Sequence, residues 1–323
     1  MFINDAQIPR FESADEIQHW ILSFILNYGE ETKPRGMKTL EICPVMFTLL
    51  NPRKRCVTNV ERRWSFPLAL GEFCWHISGS DELNFIEFYA SQWRNFAEDD
   101  ATIRGSCYGR KVFQRQFGNL SQWERIIHIL KEDSHSRRAV LYFNDSSQDS
   151  EAFSKDVPCA SSLQFIVREG KLYAITHMRS NDAIWGLPYD IFLFTMLQEL
   201  LSCELNLEMG TYSHSVASLH IYERHFEFAK KIIKSNFETF EMPFMRNFEQ
   251  SFNFLNVESI ARSQGFLPKS DLNDYWKNLS LVLGWYSSIK WGNENHIEYL
   301  NEVSSSYKKL LANITVKSKS NIA

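Results

Sequence analysis

The stretch SLQFIVREGKLYAITHMR, Ser162 to Arg179, decides the fold class. Two β-rich runs flank Glu169-Gly170, and a short glycine-bearing pair between such runs reads as a hairpin turn. A third run, AVLYF from Ala139 to Phe143, lies just upstream, and Ile191 to Leu201 just downstream is apolar enough for a central buried helix. Working outward, Asp15 to Asn27 carries Ile17, Trp20, Ile21 and Phe24 at helical spacing, whereas Thr39 to Leu50 is rich in β-formers and reads as strand. PLALGEFCWHI, Pro67 to Ile77, reads as a buried helix with one acid, Glu72, and Trp123 to Leu130 as another helix. After about Ser215 the segment HIYERHFEFAKKI reads as helix. Two more helices follow, Leu272 to Ile289 with Ser270 as N-cap and Ile297 to Leu311. The expectation is an α+β fold, a mixed or mainly antiparallel sheet packed with helices. Residues 1–245 form its main domain, and residues 246–323 a helical extension packed on it.

Bulk composition narrows the function classes. A formal charge of −4 gives no global attraction to nucleic acid, and no apolar run approaches the ~20 residues that cross a bilayer. The opening MFINDAQIPRFESADEIQHW has early acids and no apolar stretch, unlike a secretory signal, so a cytoplasmic protein is expected. Six scattered cysteines form no CxxC pair, and no histidine pair has helical ligand spacing, so no metal is assigned. Arg62-Arg63 and Arg53-Lys-Arg55 read as solvated surface charge, and Trp276, Trp285 and Trp291 as packing for the late helices.

Chemistry gathers in a few places. Asp156-Val-Pro-Cys159 puts a cysteine after a proline at a strand entrance, although a buried structural thiol is the commoner outcome for such a residue. Twenty residues on comes Arg179-Ser-Asn-Asp182-Ala-Ile-Trp-Gly186-Leu-Pro-Tyr-Asp190. An arginine fork suits two phosphate oxygens, and a glycine lets a ligand approach the backbone. Ser218-Leu-His220-Ile-Tyr222 sets two polar side chains two residues apart, suited to a sugar hydroxyl, and Ser136-Arg137-Arg138 is a second basic pair.

The order SRR, PC, QF…G, RSND…GLPxD, LHIY resembles the thymidylate synthase family. The match extends upstream to GEFCWHISGS around Glu72, to Trp93 and to CYGR around Tyr108, and covers about Arg35 to His225. The resemblance implies Cys159 as the nucleophile that adds to C6 of a pyrimidine, with Tyr108 beside it among the catalytic residues. It implies Arg179, Ser180 and Arg35 as phosphate ligands, with Lys33 an alternative to Arg35. Arg137 and Arg138 would reach across a homodimer to the partner's phosphate. His220 and Tyr222 would hold the sugar 3′-hydroxyl, and Glu72 would organise water and move protons near C5. Trp93, Asp182, Gly186 and Tyr189 would wall the site of the implied cofactor, 5,10-methylenetetrahydrofolate.

Two departures bear on the substrate. Members that methylate dUMP carry asparagine where this chain has Asp190, and histidine where it has Ala160. Asparagine complements O4 and N3–H of uracil. A carboxyl group complements the 4-amino group and bare N3 of cytosine. Deoxycytidylate hydroxymethylases resemble the chain at that aspartate, in MRSND and in SLHxY. The ending TVKSKSNIA differs from the closing tail of the methylases, which favours water access and a hydroxymethyl product. The expectation is therefore 5-hydroxymethylation of dCMP. Alternatives are a CMP hydroxymethylase of a nucleoside-antibiotic type of pathway, a dUMP methylase, and a non-catalytic nucleotide-binding relative.

Overall fold

The computed structural model describes residues 8–97, 99, 101–115, 120–144, 154–312 and 314–316. Its strands are β1 (Arg10–Phe11), β2 (Glu30–Thr32), β3 (Thr39–Ile42), β4 (Val45–Leu49), β5 (Val140–Tyr142), β6 (Ala160–Arg168), β7 (Lys171–Asp182) and β8 (Glu208–Tyr222). Its α-helices are α1 (Ala14–Tyr28), α2 (Phe66–Ile77), α3 (Leu83–Tyr89), α4 (Tyr108–Phe113), α5 (Gln122–Glu132), α6 (Gly186–Glu204), α7 (Phe226–Lys234), α8 (Gln250–Gln264), α9 (Asp274–Trp291), α10 (His296–Glu302) and α11 (Ser305–Leu311).

The central hairpin forms as its sequence requires. Arg168 pairs with Lys171, and the turn residues Glu169 and Gly170 both have positive φ, 51° and 73°. That is the turn twist that suits right-handed strands. β7 then pairs with β8 in parallel, which needs a crossover, and α6 supplies it. From Ile191 to Ser202 every residue of α6 is buried, so it is a core helix rather than an amphipathic one. The eight-stranded mixed sheet runs β1-β4-β8-β7-β6-β5, with β3 also on β8 and β2 on β3.

The sheet has two unlike faces. Leu163, Phe165, Leu172, Ala174, Tyr212 and Val216 are buried in the core. The alternate residues Gln164, Ile166, Tyr173, Ile175, Ser213 and Ser215 stay half-buried, and Met46 and His177 are exposed.

The late helices share the main core. Trp276, Leu279 and Leu283 of α9 are fully buried, and a buried leucine contributes roughly 1.5–3 kcal/mol. Tyr286 of α9 stacks on Tyr89 of α3 at 5.5 Å, and Glu258 of α8 accepts from the Tyr89 hydroxyl at 2.7 Å. Tyr307 of α11 stacks on Phe66 of α2 at 5.5 Å. The helix that carries Glu72 is thus braced from behind by the C-terminal segment. Trp276 and Trp285 pack the late helices as expected, while Trp291 is partly exposed and donates to the Arg262 carbonyl. Among the described residues, no helix is long and apolar enough to cross a membrane.

Several local readings are corrected. Thr39–Leu50 is two strands, separated at Cys43-Pro44, where proline has no N–H for a ladder. The expected helix from His220 begins only at Phe226, because β8 is held through Tyr222 by β3 on one side and reaches β7 through His220 on the other. The cap of α9 is Asn273, which accepts from Trp276 N, not Ser270. Ile297–Leu311 is two helices broken at Val303-Ser304. Arg55 and Arg62 are not surface charge, since both are 0% exposed. Arg55 Nη2 binds Glu199 Oε2 at 2.5 Å, and Glu199 Oε1 accepts from Met245 N at 2.9 Å. The ending read as a differing tail falls largely on residues 317–323, outside the described residues.

Candidate active site

Cys159 stands half-buried at the head of β6 on a loop fixed from both ends. Asp156 accepts from Gly105 N and Ser106 N, each at 2.8 Å, and from Ser106 Oγ at 2.5 Å. Gly105 must be glycine here, since a Cβ would lie 1.8 Å from the Asp156 carbonyl. Tyr108 follows on α4, and its hydroxyl accepts from Ala160 N at 3.2 Å, next to the thiol. Gly109 presses α4 onto α2. A Cβ there would lie 1.8 Å from the His76 carbonyl, and Gly109 N donates to His76 Nδ1 at 3.1 Å. The CYGR run is therefore the joint between the thiol loop and the Glu72 helix.

Arg179 leaves β7 beside Cys159. Its guanidinium donates to the carbonyls of Pro158 and Val157, each at 2.8 Å, and to Cys159 Sγ at 3.7 Å. Burial pushes the thiol up, and the positive charges of Arg179 and Arg35 oppose this. In the free chain burial wins, so the thiol rests protonated and must lose its proton to react. Arg35 sits exposed in the turn between β2 and β3 with φ 53°.

Glu72 of α2 and Asp190 of α6 lie in each other's electrostatic field. Glu72 is pushed up to about 8 by burial and by the charge of Asp190, against the steadying Trp93 indole. Asp190 is pushed up to about 7 by burial, against a hydrogen bond from Asn181. Two neighbouring carboxyls with raised proton affinity, of which Asp190 also lies in the field of the Cys159 thiol, are suited to proton transfer.

The residues expected to meet a sugar lie on β8. Ser180 pairs with Ser218 and Asp182 with His220 across the β7–β8 ladder, and the rings of His220 and Tyr222 meet edge-on at 5.0 Å. Asp182 Oδ1 accepts from Ile184 N at 2.7 Å and Trp185 N at 3.0 Å, which shapes the turn into α6. Gly186 opens that helix, and a Cβ there would meet nothing closer than Asp190 Oδ2 at 3.5 Å. The Tyr189 hydroxyl accepts from Ser65 N at 3.1 Å, and Trp93 packs on Trp75 at 5.4 Å. Arg137 and Arg138 stand exposed on the turn before β5.

Two residues had been given no role by sequence reasoning. Arg62, set down as surface charge, lies under the Trp185 ring at 4.6 Å, fully buried, with Asp182 and Tyr189 as its polar neighbours. Its one sequence signal was its place three residues before Ser65, the cap of an apolar helix whose flank is buried. Asn181, within the RSND run, binds the Asp190 carboxyl. Among the described residues, no group of three or more His, Cys, Asp or Glu is placed to hold a metal.

A family profile described as thymidylate synthase matches residues 19–264. The chain belongs to the thymidylate synthase family. Among relatives, a deoxyuridylate hydroxymethyltransferase of Bacillus phage SP01 is 29% identical over 245 residues, 71% of this chain and 64% of that protein. The matched region is thus less than two thirds of that relative's length. Thymidylate synthase 1 of Bacillus spizizenii is 26% identical over 64% of this chain and 73% of its own. The structure of thermostable thymidylate synthase A from Bacillus subtilis superposes with a TM-score of 0.63 at 22% identity, over 73% of this chain and 91% of that one, and so shares the fold. The family transfers one carbon from 5,10-methylenetetrahydrofolate.

Proposed function

We propose that this chain hydroxymethylates C5 of a cytosine nucleotide, dCMP foremost. The observation that carries the reading is Asp190, a half-buried carboxyl in the electrostatic field of both Glu72 and the Cys159 thiol. As a neutral acid it offers one donor and one acceptor, the complement of cytosine N3 and its 4-amino group. A pocket so built disfavours a base with the opposite pattern, because buried polar groups would go unpaired.

The chain's residues then divide the work. Arg179, Ser180 and Arg35 hold the phosphate, and His220 and Tyr222 the 3′-hydroxyl. Phosphate binding would draw the Arg179 fork from the Val157 and Pro158 carbonyls, where it now rests. Cys159 gives up its proton to water and its sulfur bonds C6, which moves the C5–C6 electron pair toward the ring polar groups that Asp190 faces. Methylenetetrahydrofolate supplies the carbon at the oxidation level of formaldehyde. Glu72 receives the proton that leaves C5 and steadies the water that adds to the new exocyclic carbon. Departure of Cys159 from C6 then restores the ring double bond.

The cofactor side fits its proposed ligand. A fully buried guanidinium, at Arg62, suits an anionic group, and the aromatic faces of Trp93, Tyr189 and Trp185 suit flat rings. Asp182 and Gly186 complete that wall. The half-buried sheet face of Ile166, Tyr173 and Ile175 supports a homodimer, in which Arg137 and Arg138 reach the partner's phosphate.

The test is product mass after incubation with methylenetetrahydrofolate and dCMP, CMP or dUMP in parallel. Gain of CH2O on a cytosine nucleotide is the expected result, with the Cys159→Ser protein binding nucleotide but making no product. A second reading, hydroxymethylation of dUMP, is favoured by the name of the phage SP01 relative, and CH2O gained on dUMP alone would establish it. Gain of CH2 on dUMP would make the chain a thymidylate synthase. Unmodified nucleotide in all three reactions would leave a nucleotide-binding protein.

A further inference from the structure

Asp190 is held by one side chain, and that side chain is oddly placed. Asn181 is 3% exposed, and its Nδ2 donates to Asp190 Oδ2 at 2.6 Å and lies 3.1 Å from Met178 Sδ. Its carbonyl Oδ1 is buried with no partner among the described residues. An amide that can satisfy only one end carries a desolvation cost that an apolar residue of the same size would avoid. Packing alone therefore does not account for it.

The two ends of an amide are alike in shape, so its neighbours must set its orientation. A thioether accepts and never donates. Turning the amide over would place its oxygen against the lone pairs of Met178 Sδ, so the nitrogen faces both Met178 and Asp190. Asp190 Oδ2 is then an acceptor, and a neutral Asp190 carries its proton on Oδ1. Asp190 is half-buried, and Oδ1 takes no hydrogen bond among the described residues, so it is free to donate to a base.

We infer that Asn181 sets the base preference of the site by pinning Asp190 Oδ2 as the acceptor, so that the neutral carboxyl presents its O–H from Oδ1. Bare N3 of cytosine accepts that proton, while the second lone pair of Oδ2 accepts from the 4-amino group. Uracil opposes an N3–H to the same O–H. The neutral form is accessible near neutrality, since burial and the charge of Asp182 on β7 both raise the proton affinity of Asp190. Glu72 on α2, Cys159 at the head of β6, Tyr108 on α4 and Tyr212 on β8 also lie in its field. Asn181 touches Asp190 and not the base, so it is a positioning residue. The inference rests on the reading of Asp190 under the proposed function.

The experiment is calorimetric titration of the folate-free protein with dCMP and with dUMP. Asn181→Leu keeps the volume, and Asn181→Ala covers the case in which leucine packs badly. Without the pinning donor the proton can sit on either oxygen. The preference for dCMP over dUMP should then shrink about tenfold, mostly through better dUMP binding. If both nucleotides weaken in parallel and the Kd ratio is unchanged, Asn181 is only structural and the inference is overturned. Asp190→Asn is the separate control, expected to turn the preference toward dUMP. A wild-type protein without dCMP preference, unmoved by Asp190→Asn, would defeat the reading of Asp190 itself and this inference with it.

Discussion

At the scale of single residues, the site turns on protons held where water would release them. Glu72, up to about 8, and Asp190, up to about 7, both bind protons more tightly folded than unfolded. A raised acid makes the folded state bind the extra proton between the usual carboxylate range and its own folded value. Stability contributed this way is present at low pH and falls as pH rises through that window. Glu72→Gln removes the titrating group, so its melting temperature should match the parent near pH 5 and exceed it by a few degrees near pH 8, with turnover lost. Thermal melts across pH check this, and a melting point that falls equally at both pH values would mean that Glu72 is a structural acid. His76 and His214 are pushed down to about 3 by burial, so both stay neutral in the folded protein, and their linkage to unfolding is common to parent and variant and cancels in the comparison.

At the scale of elements, glycine marks where helices must touch. Gly109 and Gly186 both occur in motifs that resemble the family, yet the structure separates them. A Cβ at Gly109 would collide with the His76 backbone at 1.8 Å and push α4 from α2, whereas one at Gly186 would make ordinary contact at 3.5 Å. Gly109→Ala should cost about 1–3 kcal/mol by denaturant unfolding and lower kcat, since Tyr108 moves with α4. Gly186→Ala should keep its stability and instead raise KM where a ligand needs the space. Equal destabilisation by the two would refute this division. The sequence showed that both were glycines in a motif. Only the crossing of α2 and α4 showed which one is steric.

At the scale of the whole molecule, the half-buried sheet face and the outlying pair Arg137 and Arg138 belong to one question. If the arginines serve the partner's site, a Cys159→Ser subunit and an Arg138→Ala subunit should complement each other. One site of each mixed dimer then has both an intact thiol and an intact arginine, so a statistically mixed population should recover about a quarter of wild-type activity from two defective parents. Mixtures no more active than their parents would confine each site to its own subunit. The C-terminal helices belong to this scale too. They were legible as helices, but their bracing of α2 through Tyr89, Glu258 and Tyr307 rests on contacts between residues more than 150 positions apart.

The sequence alone determined what local rules can determine. The turn at Glu169-Gly170, the buried helix after Asp190 and the multi-residue motifs were readable because turn chemistry, apolar periodicity and spacing are properties of neighbouring residues. Tertiary structure decided the rest. Whether Arg62 faces water or an aromatic pocket, whether His220 is strand or helix, and which oxygen of Asp190 is left free all depend on chain segments distant in sequence. Burial, β pairing and the orientation of an amide between two acceptors come into being only when those segments meet.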